Sequence, residues 1–130
     1  MPILNVKISA QAHPDLLAQV NSLLLDLTER VLGKARDLTA IAVDCVPRTA
    51  WTVGGQTLET LGRHSFYLEI KVTDETNTKA EKARYIREVF DGFERLLGPL
   101  DPKSYVHVHD VRAATYGYGG QTQEWRYHHP

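Results

Sequence analysis

The chain has 130 residues, 42% of them hydrophobic and 24% charged, with a formal net charge of −1. That length suits one domain with a real core, and a near-neutral chain whose basic residues are scattered carries no nucleic-acid footprint. No apolar run approaches a membrane span, the start lacks the basic-then-apolar pattern of a secretory signal, and the single cysteine, Cys45, allows no intrachain disulfide, so a cytoplasmic chain is expected.

The chain opens MPILNVKIS. Leu4, Val6 and Ile8 alternate with Ile3, Asn5 and Lys7, the period of a half-buried strand. Pro2 stands directly ahead of it. A proline has no N–H to give a ladder and is tolerated at the first residue of a strand. It also has a second reading. Loss of the initiator Met would leave Pro2 with a free secondary amine, and such an amine can act as a base. The strand alone does not decide between them.

A helix is expected from His13-Pro14-Asp15, with proline suited to the first helical position. Leu16, Leu17, Val20, Leu23, Leu24, Leu27 and Val31 follow as its apolar stripe, and Gly33 stops it. A second strand spans roughly Thr39–Val46, with Ile41, Val43 and Cys45 on one face. In that pattern Cys45 is a small buried hydrophobe. Pro47 and Arg48 lead into a turn.

The same order then returns. Phe66, Leu68, Ile70 and Val72 alternate with Tyr67, Glu69 and Lys71. Thr78-Lys79-Ala80-Glu81 is a capping box. Ala83, Ile86, Phe90, Phe93 and Leu97 read as the second helix's stripe, ended by Gly98-Pro99. The last strand carries Val106 and Val108 on one face and Tyr105, His107 and His109 on the other. Three landmarks fix the repeat. AWTVGGQ at 50–56 returns as TYGYGGQ 65 residues on, Leu32-Gly33 returns as Leu97-Gly98, and NVKI at 5–8 returns as EIKV at 69–72. The tail Glu124–Pro130 reads as having no counterpart.

The pattern predicts one α/β domain (α+β in some schemes) built from two β-α-β repeats, about 2–56 and 66–121. They would form a four-stranded mixed sheet with two helices on one face and short Gly-Gly hairpin segments. Strands within each repeat run parallel through right-handed crossovers. The uncovered face, with Ala40, Ala42, Tyr67, Tyr105, His107 and His109, asks for a partner, so a homo-oligomer is expected. His107-x-His109 and His128-His129 fall short of the three or four fixed ligands a metal needs. No metal and no cofactor is expected.

Pro2 opening a strand, the duplicated unit, and the segments Trp51…Gly54-Gly55 and Tyr116…Gly119-Gly120 together resemble the tautomerase superfamily, over about residues 2–121. This family includes the oxalocrotonate tautomerases and macrophage migration inhibitory factor. The resemblance implies a homotrimer with three active sites and an unblocked Pro2 amine as catalytic base. It implies that Lys34, after the Gly33 helix stop, is a pocket cation, and that Ser65-Phe66 line the pocket. Tyr105 and His107 match a Tyr-x-Asn pair that reaches the pocket across a subunit interface, with His107 in the place of Asn. Trp51 and Tyr116 occupy the place of a pocket phenylalanine. The family's diacid-binding arginines are missing: the matching places hold Ala12, Asn77, Ala40 and Tyr105. The stretch Thr73-Asp74-Glu75-Thr76-Asn77 likewise lacks the arginines of the dehalogenase and decarboxylase branches.

Keto–enol tautomerisation needs a modest base and a partner for the enolate oxygen. An apolar pocket and the Lys34 charge would both lower the pKa of a Pro2 ammonium. Leu4, Phe66, Trp51 and Tyr116 can supply walls, and Tyr105 or His107 a donor. Lys34 is equally explained as a cation at a helix C-terminus, and Tyr105 and His107 as interface packing. The expected function is a tautomerase of a small 2-keto (enol) acid. The alternatives are a related dehalogenase- or decarboxylase-type lyase, for which Glu124 is a candidate water-activating acid, and a non-catalytic trimeric interaction protein. No nucleic-acid or membrane partner is expected.

Overall fold

A computed structural model describes residues 2–130. In chain order it contains β1 (Ile3–Ile8), α1 (Pro14–Arg30), β2 (Ala40–Cys45), β3 (Thr52–Val53), β4 (Gln56–Thr57) and α2 (Leu58–Leu61). The second half contains β5 (Phe66–Thr73), α3 (Lys79–Leu97), β6 (Tyr105–Val111), β7 (Gly117–Tyr118), β8 (Gln121–Thr122) and α4 (Gln123–His128). The main sheet has the order β2-β1-β5-β6. β1–β2 and β5–β6 are parallel, and β1–β5 is antiparallel. The expected mixed four-stranded sheet, with its two long helices, is what the chain forms.

The period-two pattern explains which face is dry. Leu4, Val6 and Ile8 of β1 and Phe66, Leu68, Ile70 and Val72 of β5 are all buried, and they pack with Val20, Leu24 and Leu27 of α1 and Val89 and Phe93 of α3. α1 begins with Pro14 at its first position and His13 as the cap, whose Nδ1 accepts from Asp15 N at 3.2 Å. The Thr78–Glu81 capping box is formed in full.

Two expectations need correction. The buried face of α3 is Tyr85, Val89, Gly92 and Phe93, whereas Ala83 is exposed and Ile86 is 41% exposed. The helix turns so that the Tyr85 hydroxyl meets Thr28 Oγ1 of α1 at 2.9 Å. Gly92 lets Leu23 approach, since a Cβ there would lie 2.5 Å from Leu23 Cδ1. A tyrosine and a glycine carry little weight in an apolar-stripe count, so the stripe read from sequence was rotated. Second, the tail does have a counterpart. Thr57 caps α2 by accepting from Thr60 N, and Thr122 caps α4 by accepting from Trp125 N in the same way. The uncovered sheet face mixes apolar and charged groups. Lys7 pairs with Asp44 at 3.6 Å, and Glu69 accepts from both Lys71 and the Tyr67 hydroxyl.

Candidate active site

The parallel pairing of β1 with β2 brings the starts of both strands together, and Ala40 N donates to the Pro2 carbonyl at 3.2 Å. Pro2 is buried there. Because β5 runs antiparallel to β1, its last residues lie at the same end of the sheet, and so do the end of β6 and the hairpin that follows. The Tyr116 hydroxyl reaches Thr73 Oγ1 at 2.7 Å, and Gln123 N donates to Tyr116 O at 2.9 Å. The hairpin thereby closes over the start of β1. Its turn is Gly119-Gly120, both with positive φ (60° and 80°), as a two-residue hairpin loop of matching twist requires. Gly117 is required by crowding, since a Cβ there would lie 1.9 Å from Gln121 O.

The result is a cavity of about 380 Å3 lined by Pro2, Ile3, Asp37, Leu38, Thr39 and Ala40 on one side and Tyr116, Gly117, Tyr118 and Gln123 on the other. Its walls are mostly apolar or aromatic. Burial pushes the Tyr116 phenol above its usual range, and the charge of Asp74 adds to this, while the bond to Thr73 opposes it. Arg126 of α4 stacks on the Tyr118 ring, its Cζ 3.8 Å from the centroid, and donates to Tyr118 O at 2.9 Å. A cation therefore stands against this wall.

The chain brings together only some of the residues singled out from sequence. Pro2 and Tyr116 share this cavity. Lys34 lies at the same end of the sheet but is not one of its walls. Its ammonium donates to Thr76 Oγ1 at 2.8 Å. Burial pulls the Lys34 pKa down, against the opposing charges of Glu81 and Asp110. Trp51, Phe66 and Tyr105 meet elsewhere. They line a second cavity of about 590 Å3 together with Tyr67 and Lys103. Phe66 pairs with Ile8, so it sits at the end of the sheet opposite Pro2 within one chain. His107 lies on the uncovered sheet face, opposite Glu69 and stacked on His109 at 5.1 Å. Leu4 packs under the helices, not at Pro2.

The two cavities are copies of one another. Residues 64 or 65 apart correspond: Pro2 with Phe66, Ile3 with Tyr67, Leu38 with Lys103, Ala40 with Tyr105, and Tyr116 with Trp51. Asp37, Tyr118 and Gln123 were not singled out from sequence. For Gln123 a signal existed, because Gly-Gly-Gln-Thr stands at both 54–57 and 119–122. Carrying that match one residue further pairs Gln123 with Leu58.

No family model matches the sequence, and no curated protein matches it. Solved structures do. An asymmetric trimer of a wild-type fused 4-OT superposes with a TM-score of 0.81 at 18% identity, over 95% of this chain and 98% of that one. The fold is that of the tautomerase superfamily. A structure of Pt0534 inactivated by 2-oxo-3-pentynoate matches with a TM-score of 0.81 at 12% identity, over 95% and 98% of the two chains. A macrophage migration inhibitory factor homologue from Prochlorococcus marinus matches with a TM-score of 0.75 at 22% identity, over 92% and 97%. Among the described residues no cluster of three or more His, Cys, Asp or Glu is placed to hold a metal, and no helix is long and apolar enough to cross a membrane.

Proposed function

We propose that the chain is a keto–enol tautomerase in which the amine of Pro2, freed by loss of Met1, is the general base. Met1 itself lies outside the described residues. The observation that carries the reading is the burial of Pro2 at the start of β1, inside a mostly apolar cavity closed by the β7–β8 hairpin. An ammonium in such a place loses hydration, which lowers its pKa toward the working range of a base. The Lys34 ammonium at the same end of the sheet acts in the same direction. Tyr116 supplies an aromatic wall from the same chain. The substrate class is a small keto or enol compound, foremost a 2-keto acid, with Lys34, at the same end of the sheet, as the cation that would draw in its carboxylate.

The working unit of this proposal is a single domain of two repeats assembled as a homotrimer. The edges of β2 and β6 are unpaired in the sheet, and Tyr105 is 62% exposed. Open strand edges of this kind invite pairing with another chain. In a trimer, the cluster of Trp51, Phe66 and Tyr105 would meet a Pro2 cavity across a subunit boundary, and His107 would lie near that boundary.

The test is the intact mass of the purified chain, followed by phenylenolpyruvate ketonisation by wild type and Pro2→Ala. Loss of Met1, with a roughly hundredfold or larger fall in the variant, supports the reading. A retained Met1, or equal rates, overturns it. A second probe is 2-oxo-3-pentynoate. Its alkyne, conjugated to a ketone, accepts an amine by addition, with a new N–C bond formed and the proton passed to the α-carbon. The adduct should appear on wild type and not on Pro2→Ala.

One observation favours a hydrolytic alternative. Asp37 borders the cavity, and a carboxylate there could activate a water. Chloride release from 3-chloroacrylate, abolished in Asp37→Asn, would favour that lyase-like reading.

A further inference from the structure

Gln123 occupies the first turn of α4, directly after the Thr122 cap, and borders the Pro2 cavity. It is only 9% exposed, and its Nε2 is buried without a hydrogen-bond partner. Buried amide donors are almost always paired, so an orphan of this kind calls for an explanation. The internal repeat supplies a control. Leu58, the counterpart of Gln123, begins α2 after the same threonine cap and is fully buried. Packing at this place is satisfied by leucine. The chain carries an amide only in the copy that closes over Pro2, and not in the copy whose strand opens with Phe66.

A second observation lies one turn further along the same helix. Among the described residues, the other buried side-chain N–H without a partner is Arg126 Nε. Its guanidinium lies over Tyr118, a wall of the same cavity. Both uncommitted donors therefore belong to one side of α4: Gln123 borders the cavity, and Arg126 lies over Tyr118, one of its walls.

We propose that Gln123 is a substrate-contacting residue, whose carboxamide N–H receives the carbonyl oxygen of the keto form. The proposal rests on the reading of Pro2 as base. In the step, the Pro2 nitrogen takes a proton from the carbon beside the carbonyl. The C–H electron pair becomes the C=C bond, and the C=O π pair moves onto oxygen. The Pro2 ammonium then returns its proton to that oxygen, directly or through water, to give the enol and restore the amine, or the sequence runs in reverse. Gln123 meets the oxygen where negative charge collects, which is where a fixed donor has most effect. Rotation about the last side-chain bond exchanges the amide's oxygen and nitrogen, so the N–H edge can turn to the substrate without moving the helix.

The test compares wild type, Pro2→Ala, Gln123→Leu and Gln123→Glu in phenylenolpyruvate ketonisation, with thermal melts of each at one protomer concentration. Leucine is the residue that the chain's own other copy uses. Gln123→Leu should lose about a hundredfold in kcat/KM, while its melting temperature holds or rises because an unpaired buried donor has gone. Gln123→Glu, which keeps size and removes the donor, should lose at least as much and covers a Leu variant that does not fold. Activity within threefold of wild type in either folded variant, with Pro2→Ala inactive, overturns the role of Gln123 and leaves Pro2 standing. A clear fall in the melting temperature of Gln123→Leu assigns the amide to structure and also overturns it. Equal rates for wild type and Pro2→Ala overturn the Pro2 reading, and this inference falls with it.

Discussion

Asp101 sits in the segment that joins α3 to β6, with its side chain only 5% exposed. One carboxylate oxygen accepts from Lys103 N at 2.8 Å, and the other pairs with Arg63 Nη1 at 3.0 Å. The bond from Lys103 N holds the carboxyl below its usual range, and Arg63 adds to this, while burial opposes both. Asp101→Asn keeps one acceptor but removes the charge and turns an amide N–H toward the guanidinium. A hydrogen bond to a charged group contributes about 1.5–3 kcal/mol. Arg63 is 47% exposed, so its ion pair adds at most about 1 kcal/mol. The amide recovers part of the first bond, which leaves an expected loss of about 2 kcal/mol at pH 7. A depressed carboxyl stabilises the fold above the unfolded aspartate pKa, about 3.9, and loses that contribution as pH falls through the folded value. The gap between the proteins should therefore narrow as pH drops below about 4. Urea unfolding of both proteins at pH 7 and pH 3, at fixed protomer concentration, measures it. A gap below about 0.5 kcal/mol at pH 7, or one that does not shrink in acid, would refute the reasoning.

Other outcomes follow from single contacts. Tyr85→Phe leaves the buried Thr28 hydroxyl without its 2.9 Å partner and should cost about 1–3 kcal/mol in urea unfolding. A loss under 0.3 kcal/mol would mean that Thr28 finds another acceptor. Gly117→Ala forces a Cβ into the Gln121 carbonyl, so the β7–β8 hairpin should open and ketonisation should fall at least tenfold with little change in the melt; unchanged activity would show that the hairpin does not close the site. Lys34→Gln removes a like charge from the end of the sheet where Pro2 lies. The acid limb of kcat/KM should then move to higher pH, by about half a unit to one unit at low salt, and a limb that stays put or moves down would release Lys34 from the site.

Much of the fold could be read from sequence because its determinants are local. Period-two strands at 3–8 and 66–73, a proline at the start of α1, and a Thr-x-x-Glu box at 78–81 each act within a few residues. The rotation of α3 could not be read, because Tyr85 and Gly92 owe their burial to Thr28 and Leu23 on another helix. Pro2 stood out by its own chemistry and Tyr116 by the repeated aromatic-Gly-Gly segment, and the fold puts both in one cavity. Phe66, Trp51 and Tyr105 were grouped with Pro2 from sequence, but the antiparallel β1–β5 pairing puts them at the far end of the chain's own sheet. Asp37 and Tyr118 gave no signal, since an aspartate after a helix and a tyrosine in a hairpin are ordinary surface residues until the fold brings them to Pro2.

That split has a physical reason. Duplication within one chain copies every side chain but cannot copy a chain terminus. Each repeat builds a strand start, a parallel neighbour and a Gly-Gly hairpin that folds over them, so each builds a cavity. On the proposed reading, the first strand opens with a free amine. At the second, the backbone nitrogen is an amide with no basicity to use, and a proline there would serve no catalytic purpose. Phe66 stands in that place, fully buried and stacked on Phe93 with ring centroids 4.4 Å apart. On the proposed reading, a repeat without the base needs no oxygen donor above it. The pairing of Gln123 with Leu58 has the form that this argument requires: a polar residue kept where an amine can be freed, and an apolar one where packing alone decides.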